Sequence, residues 1–374
     1  MNNSMRLKNF FAAAALALLL SVSSLAQTAT DSSLPRTSGP HPKILIIYDM
    51  EGVSMLTNVD YLRFDRTATY AQGRKWLTSD VNAAIRGLAK GGAGPIWVQD
   101  AHGSGNSKEP DVLLNEMDPR ATFDFRSDDF DPYSTGIDGS VDAIICIAMH
   151  ARANSPGFAA HTYTIDVDFR VNEVEFTETH IIALSAARWG IPVIMVSGDN
   201  ILGEQLKPDF PELEYATVKN AKGHADAQTL APGEAEKRIE ASAKLAMEKF
   251  LTGKFRPYYL RPPYDFRLSF PDYEETNGAA MNPLVERDGD LAVRFRRQSY
   301  IEGYEIAKTS IHLAVQESVM GMLTRLLSKD PAGQKSLQQL EDMVFERWLD
   351  REHAPDWSKP GPKPAPKERF YGDN

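Results

Sequence analysis

Four apolar runs set the strongest limit on how this chain can fold. They lie at residues 43–48 (KILIIY), 95–99 (PIWVQ), 141–148 (VDAIICIA) and 191–197 (IPVIMVS). Each run is nearly continuous rather than alternating, which is typical of strands that are covered on both faces. Such strands belong to parallel sheets that have helices on either side. The runs therefore predict an α/β fold with a mostly parallel sheet flanked by helices.

Helical patterns lie between and after the apolar runs. Residues 69–91 carry apolar side chains at helical spacing and end at a pair of glycines, a common helix stop. Residues 177–189 begin with Thr177, a favourable N-cap, and residues 233–252 form an amphipathic pattern. Because strands and helices alternate, the sequence predicts an α/β domain over residues 43–252.

The pattern changes after residue 252. Two strand-like segments, RPPYDFRLSF and LAVRFRRQSY, precede a long helical pattern, which predicts a smaller α+β portion over residues 253–330. Residues 335–352 form another amphipathic pattern, and five prolines follow from Pro355 onwards. Residues 331–374 are therefore expected to be a helical extension with a Pro-rich tail.

The first 26 residues have the features of a secretory signal peptide. Arg6 and Lys8 precede the apolar segment FFAAAALALLLSV, and small residues stand at Ser24 and Ala26. This arrangement predicts cleavage after Ala26. An uncleaved anchor is the alternative, but so short a run hardly spans a bilayer. We expect an exported protein, periplasmic or extracellular, in which residues 27–42 form a polar linker.

Charge and cysteine content narrow the function classes. The leader contains two of the 41 basic residues and none of the 51 acidic ones, so the mature chain has a formal charge of −12. An acidic chain without a basic run is a poor ligand for nucleic acid or for a membrane surface. The only cysteine, Cys146, lies in an apolar run. It cannot form an intrachain disulfide and is expected to be a buried structural thiol.

Acidic and histidine side chains follow all four apolar runs. In an open parallel sheet, ligands bind outside the carboxyl ends of the strands. The four runs would bring their polar residues to this one edge, and the sequence therefore predicts a functional site there. The residues are Asp49 and Glu51 after the first run, Asp100 and His102 after the second, His150 after the third and Asp199 after the fourth.

The pair Asp49 and Glu51 raises the question of a metal ion. A spacing of two places both side chains on one side of an extended segment, where two carboxylates repel each other. A divalent cation would supply the compensating charge, whereas the alternative is a turn cap and a solvated acid. His102 and His150 favour the metal, because imidazole and carboxylate are zinc ligands. Without a cysteine set, a catalytic site is favoured over a structural one.

Several roles stay open at the level of spacing. Glu178 and His180 lie in the first turn of the same predicted helix, and either could join the site; an acid there also complements the helix dipole. Asp100 and Asp199 could orient histidines or cap turns. Arg152 could bind a substrate carboxylate or neutralise the acidic cluster.

Five segments of the chain resemble the zinc-dependent D-aminopeptidase family in order and spacing. They are YDMEGVS, VQDAHGS, AMHARANSPGFAAHT, the acid at position 178 and IPVIMVSGD, and the similarity runs from about residue 43 to about residue 315. The resemblance implies two zinc ions per subunit, a homo-oligomer, and release of N-terminal D-residues from short peptides. By motif position, Asp49 would bridge the metals and His161 would be the catalytic histidine. The remaining metal ligands would be Glu51, His102, His150 and Glu178.

The sequence thus predicts an exported binuclear zinc aminopeptidase that acts on short peptides by means of metal-activated water. One alternative is another metal-dependent amidohydrolase. A second is a non-catalytic zinc- or peptide-binding protein, which would need the five ligands but would have no use for His161.

Overall fold

Two sheets form the framework of the protein, and a computed structural model describes them. The described residues are 39–350 except 64–66, 104–109, 126–130, 135 and 164–165. The predicted signal peptide, most of the linker and the Pro-rich tail therefore lie outside the described residues.

The strands and helices are as follows in chain order. The strands are β1 (Ile44–Tyr48), β2 (Ile96–Asp100), β3 (Ala121–Phe123), β4 (Ala143–Met149), β5 (Asp168–Val171), β6 (Val174–Glu175), β7 (Val193–Asp199), β8 (Glu214–Gly223), β9 (Asp226–Thr229), β10 (Tyr264–Ser269), β11 (Glu286–Arg287) and β12 (Ala292–Arg297). The helices are α1 (Thr67–Gly91), α2 (Glu178–Ala187), α3 (Asn200–Leu206), α4 (Glu234–Leu251), α5 (Tyr273–Ala280), α6 (Tyr300–Leu327) and α7 (Pro331–Leu349), with a 3₁₀ helix at Val59–Leu62.

The larger sheet has seven strands in the order β3-β2-β1-β4-β7-β8-β9. Its neighbours pair in parallel except β8 and β9, which are antiparallel. All residues of β1, β4 and β7 are buried. Ile44 and Ile46 contribute to one hydrophobic core, whereas Leu45 and Ile47 contribute to a second core. The apolar runs are continuous because both faces of these central strands are covered.

Helices α1 and α4 pack closely on one face of this sheet. A Cβ atom at Gly87 would collide with the backbone of Glu240, and one at Gly91 would collide with Met247. The two glycines therefore permit an approach that a larger residue would prevent. Cys146 is fully buried within β4, as the sequence predicts.

The smaller sheet is antiparallel, with the order β11-β12-β10-β5-β6. Strands β5 and β6 come from within residues 43–252, whereas the other three strands come later in the chain. The ring of Phe266 on β10 stacks on Phe295 at 4.9 Å and meets Phe169 edge-on at 6.1 Å. It also fills the space beside Gly303 on α6. Packing of α6 on this sheet thus ties distant parts of the sequence together.

The predicted fold class is confirmed. A mostly parallel sheet is flanked by helices, and an antiparallel sheet and C-terminal helices follow. Helix α7 begins at Pro331, slightly earlier than the amphipathic pattern suggests. Among the described residues, no helix combines the length and the apolar character needed to cross a bilayer.

Candidate metal centre

The structure brings all six predicted site residues together at one end of the larger sheet. Asp49 and Glu51 directly follow β1, His102 follows β2, and His150 follows β4. Glu178 is the first residue of α2, and His161 lies in the segment between β4 and β5. Because parallel strands end at the same edge, residues far apart in the sequence become neighbours here. Their donor atoms form two groups, one of Asp49, Glu51 and His102 and the other of His150, His161 and Glu178.

The first group is held around His102. Its Nδ1 lies 3.2 Å from Oδ1 of Asp49 and 3.2 Å from Oε2 of Glu51. Both carboxylates are at least 95% buried, being 2% and 5% exposed. The three side chains offer ligand atoms that all lie within 4.8 Å of one another, a spacing that a single cation can fill.

The second group is held around Glu178 and shares Asp49 with the first. Nε2 of His150 lies 3.3 Å from Oδ2 of Asp49 and 3.3 Å from Oε2 of Glu178. Nε2 of His161 lies 3.7 Å from Oε1 of Glu178. One oxygen of Asp49 therefore faces each group, which is the arrangement that a bridging carboxylate requires.

Backbone carbonyls fix the orientation of two histidines. Nδ1 of His150 lies 2.9 Å from the carbonyl oxygen of Ala151, and Nδ1 of His161 lies 2.9 Å from that of Ala159. A carbonyl oxygen only accepts, so Nδ1 carries the proton and donates in both rings. In the neutral form each Nε2 then keeps its lone pair. The rings stack at 3.9 Å with an interplanar angle of 15°, and both Nε2 atoms face carboxylate oxygens.

This arrangement fits a metal ion. Within the described residues, Nε2 of His150 and Oε2 of Glu51 are buried without a hydrogen-bond partner. A buried polar atom without a partner is costly, and lone pairs on nitrogen and oxygen repel unless a cation lies between them. Carboxylates and imidazoles are also the donors that zinc prefers when no cysteine is present.

The electrostatics of the group favour positive charge. Burial opposes ionisation of Glu51, but attraction to His102 outweighs it and holds the pKa of Glu51 well below 4.5. Burial also favours neutral imidazoles, yet Glu51 and Glu178 raise the pKa values of His102 and His150, respectively, well above 6.5. The site therefore attracts protons or metal cations, and the two compete for the same nitrogens.

The start of α2 distinguishes Glu178 from His180. The backbone N–H of His180 donates to the side chain of Thr177, and Nδ1 of His180 accepts from the backbone N–H of Thr177. Nε2 of His180 lies 3.4 Å from Asp209, and burial lowers the pKa of His180. His180 is thus part of a capping box, and Glu178 is the residue that reaches the cluster.

Asp100 and Asp199 cap turns beside the site. Oδ1 of Asp100 accepts a hydrogen bond of 3.0 Å from the backbone N–H of Gly103. Asp199 caps α3 through Leu202 and accepts a second hydrogen bond, of 2.9 Å, from the backbone N–H of Phe158. These contacts fix the turn after His102 and the segment that leads to His161.

Arg152 points toward the smaller sheet. Its guanidinium forms an ion pair with Glu175 on β6, and its backbone N–H donates to Gln205 at 3.0 Å. The arginine therefore anchors its loop to β6 and α3.

Tyr133 is a site residue that sequence reasoning missed. Its hydroxyl donates a hydrogen bond of 2.9 Å to Oε2 of Glu178, and its side chain is buried. Burial and the nearby Glu178 raise the pKa of Tyr133 well above 10, so the hydroxyl keeps its proton as a donor. The segment around Tyr133 carries no strand or helix pattern that would have placed it at the site.

Lys219 on β8 was also missed. Its fully buried ammonium donates to the backbone carbonyls of Glu51, Val53 and Leu56. The same nitrogen lies 4.3 Å from the centre of the Phe158 ring. Three carbonyls match the three donors of an ammonium group, so Lys219 holds the turn that follows Glu51. The sequence pattern predicts no strand over residues 214–223, so it gives no signal for this contact.

The segment that carries His150 and His161 adopts unfavourable backbone angles. Ala148, Asn154, Ala159 and Tyr163 have φ values of 61°, 55°, 47° and 66°. Left-handed angles at residues other than glycine cost about 1–3 kcal/mol each and concentrate at functional sites. The surrounding fold must therefore hold this segment in place.

Comparison with known proteins identifies the family. The model of the peptidase M55 family, described as D-aminopeptidase, matches residues 43–309. The chain belongs to this family. It is similar to the D-aminopeptidase of Bacillus subtilis (strain 168), with 27% identity over 282 residues, 74% of this chain and 99% of the relative. The fold is similar to that of the "Zn-dependent D-aminopeptidase DppA from Bacillus subtilis, a self-compartmentalizing protease", with a TM-score of 0.67 and 23% identity over 73% of this chain and 98% of that chain.

Family membership confirms the predicted resemblance and the predicted enzyme class, a D-aminopeptidase-type hydrolase. The structure adds the positions of the six candidate residues. Their roles as ligands or catalyst and the predicted domain limits stay predictions, and the function proposed next depends on those roles.

Proposed function

We propose that this member of the D-aminopeptidase family is an exported enzyme with two zinc ions per subunit. It releases N-terminal D-residues from short peptides and works as a homo-oligomer. Five side chains would hold the metals, namely Asp49, Glu51, His102, His150 and Glu178. The Zn-dependent relative, described as self-compartmentalizing, supports both the metal and the assembly, and the basic and apolar leader supports export.

The shared carboxylate of Asp49 carries the proposal of two metals. Its Oδ1 faces His102 and its Oδ2 faces His150, at 3.2 and 3.3 Å. Asp49 therefore belongs to the first donor group and also faces His150 of the second. A structural ion would need one closed set of donors, whereas two adjoining sets are typical of hydrolytic sites.

When bound, a pair of zinc ions polarises a scissile carbonyl and lowers the pKa of bound water. The chain's own residues supply orientation and proton transfer. Nε2 of His161 can accept a proton, because Nδ1 already donates to the carbonyl of Ala159. His161 is also more exposed than its neighbour, since its side chain is 22% exposed and that of His150 is 1% exposed. It is therefore the histidine that a substrate reaches.

Glu178 is held by two donors that leave it little freedom. The backbone N–H of Tyr163 donates to Oε1 at 2.8 Å, and the hydroxyl of Tyr133 donates to Oε2 at 2.9 Å. Such contacts fix the position of a ligand. Glu178 can thus bind a cation through Oε2 while its backbone stays in the first turn of α2.

Hydrolysis of D-Ala-D-Ala before and after chelation tests the catalytic proposal. Activity should disappear with a chelator and return with two equivalents of zinc per chain. His161→Ala should retain both zinc ions but lose at least about 100-fold in kcat, since general acid–base catalysis contributes that much. His224→Ala is the matched control, because His224 is exposed and lies outside both donor groups. A zinc-loaded wild type that hydrolyses neither D- nor L-dipeptides would refute the peptidase function.

Two further measurements test the metal count and the location. Asp49→Ala should lower the zinc content from two ions to fewer than one, because both groups depend on this residue. Full zinc content in that variant would refute the bridging role. Export predicts that the protein recovered from the periplasm or the medium begins at Gln27, and an intact leader on soluble cytoplasmic protein would refute it.

A further inference from the structure

Two apolar stripes on the C-terminal helices remain exposed. The stripe on α6 consists of Val315, Val319, Met322, Leu323 and Leu326, and the stripe on α7 consists of Leu337, Leu340, Met343 and Val344. Leu337 is partly buried, and the other eight are between 37% and 64% exposed. Their spacing of three and four residues places each set on one side of its helix.

The opposite side of α6 is already packed. A Cβ atom at Gly278 on α5 would collide with Ala314 and Glu317, and one at Gly321 would collide with Glu274. This packing places α5 on one side of α6. The α6 stripe is therefore a second apolar surface, beyond the one that the fold of a single chain uses.

The two helices do not cover one another within one chain. From Gln334 to Glu346, every residue of α7 is exposed apart from Leu337. A helix of 19 residues without tertiary packing is marginally stable in water, since most helical stability in proteins comes from an amphipathic face that is buried. Both stripes thus require a partner surface.

We propose that a second copy of this chain is that partner, with α7 of one copy lying on the α6 stripe of the other. From their exposed fractions, the eight residues together present roughly 800 Å² of accessible surface per chain, which is enough to supply the area of about 800 Å² that each partner buries in a standard interface. A two-fold exchange would cover both stripes in both copies at once. The surface lies beyond residues 43–309, which the family model matches, so this contact is additional to those of the family fold.

Other occupants fit less well. Residues 351–374 contain no Leu, Ile, Val or Met and cannot supply the aliphatic side chains that would fill the stripes. An anionic lipid surface would meet the carboxylates of Glu341, Asp342 and Glu346 on α7. Interfacial helices carry Lys and Arg on their polar face instead. A second copy supplies aliphatic surface of the required size.

Cross-linking between differently tagged full-length chains tests the pairing. Cys146 is buried and is the only cysteine, so a Cys146→Ala background removes it. A chain with Leu323→Cys is co-expressed with a chain that carries Val344→Cys, and mild oxidation should give a disulfide-linked product with both tags. Gln338→Cys in place of Val344→Cys is the control, because Gln338 lies on the other side of α7. A missing mixed product, or an equal yield with Gln338→Cys, would overturn the proposal.

Sedimentation velocity supplies a second readout that does not depend on cysteines. Leu323→Lys with Val344→Lys should remove the assembly step that joins α7 of one copy to α6 of another, so the largest species should be smaller than in the wild type. Gln338→Lys should leave the distribution of species unchanged. Both changes are on exposed side chains and should not alter zinc content or D-Ala-D-Ala hydrolysis per chain. The proposal would be overturned if the double variant kept the wild-type distribution of species. It would also be overturned if the double variant lost binding to anionic vesicles while its self-association stayed the same. Failure of the peptidase assay would not affect either readout.

Discussion

Replacing Tyr133 by phenylalanine removes one hydroxyl from the candidate metal centre and nothing else. That hydroxyl donates at 2.9 Å to Oε2 of Glu178, the same oxygen that lies 3.3 Å from Nε2 of His150. Tyr133 is only 7% exposed, so water does not readily replace the lost donor. A hydrogen bond to a charged group contributes about 1.5–3 kcal/mol. Zinc affinity should therefore fall about 10- to 100-fold, the range typical of residues that orient a metal ligand.

Competition with a chromophoric chelator measures this change directly. Tyr304→Phe is a matched control, because Tyr304 is fully buried but donates to Asp131 rather than to Glu178. Both variants lose a hydrogen bond to a carboxylate and should therefore lose about 1.5–3 kcal/mol of stability in urea unfolding of the metal-free protein. Only Tyr133→Phe should weaken zinc binding. With zinc in excess, its kcat should recover toward that of the wild type.

Two outcomes would refute this reasoning. Zinc affinity within twofold of the wild type in Tyr133→Phe would show that the hydrogen bond does not position Glu178. An equal loss of affinity in Tyr304→Phe would show that any change to this aromatic region disturbs the site. In both cases the geometry at Glu178 would be incidental to metal binding.

Three more substitutions test the surroundings of the site. Burial raises the pKa of Asp80 from 3.8 to about 7. The protonated carboxyl therefore contributes fully to the free energy of unfolding below pH 3.8, and this contribution is lost as the pH rises through 7. Between these pH values the free energy of unfolding of the wild type should fall by up to about 4 kcal/mol relative to that of Asp80→Asn. Lys219→Met leaves three buried carbonyls without their donor and should lower the free energy of unfolding by about 2–4 kcal/mol. Gly52→Ala would press a methyl group against the carbonyl oxygen of Met149, which should cost about 1–3 kcal/mol and weaken zinc binding.

Urea unfolding followed by circular dichroism checks all three. Asp118→Asn is the control for pH, because a hydrogen bond from Arg120 holds the pKa of Asp118 below 3.8 and its contribution should be constant between pH 5 and 8. A pH-independent difference for Asp80→Asn would contradict the linkage argument. Wild-type stability in Lys219→Met, or wild-type zinc affinity in Gly52→Ala, would show that the turn after Glu51 tolerates movement.

Four strands of the larger sheet, β1, β2, β4 and β7, could be predicted from the sequence, whereas its outer strands β3, β8 and β9 could not, and the smaller sheet could be predicted only in part. Strands β1, β4 and β7 are covered on both faces, so nearly every residue in them is apolar and the runs are easy to recognise. Strands β5 and β6 are only four and two residues long, and β5 pairs with β10, about a hundred positions later in the chain. Such pairings depend on contacts that no local pattern records.

Some residues of the candidate site could also be predicted from the sequence, and others could not. Asp49, Glu51, His102 and His150 follow recognisable strands, so the edge at which they meet could be inferred from the order of the runs. Spacing could not distinguish Glu178 from His180, because the decision depends on the capping box formed with Thr177. Tyr133 and Lys219 act through contacts with residues at least 45 positions away, which a single sequence does not reveal.

The left-handed residues between Ala148 and Tyr163 bear on how this protein could be engineered. Glycine adopts these angles without steric penalty, so Ala159→Gly should raise the melting temperature. The same change would also widen the range of positions open to His161, two residues away. Screens that select only for heat resistance would therefore favour variants with slower turnover. Stabilising substitutions for a practical form of the enzyme should be chosen outside the segment between Ala148 and Tyr163.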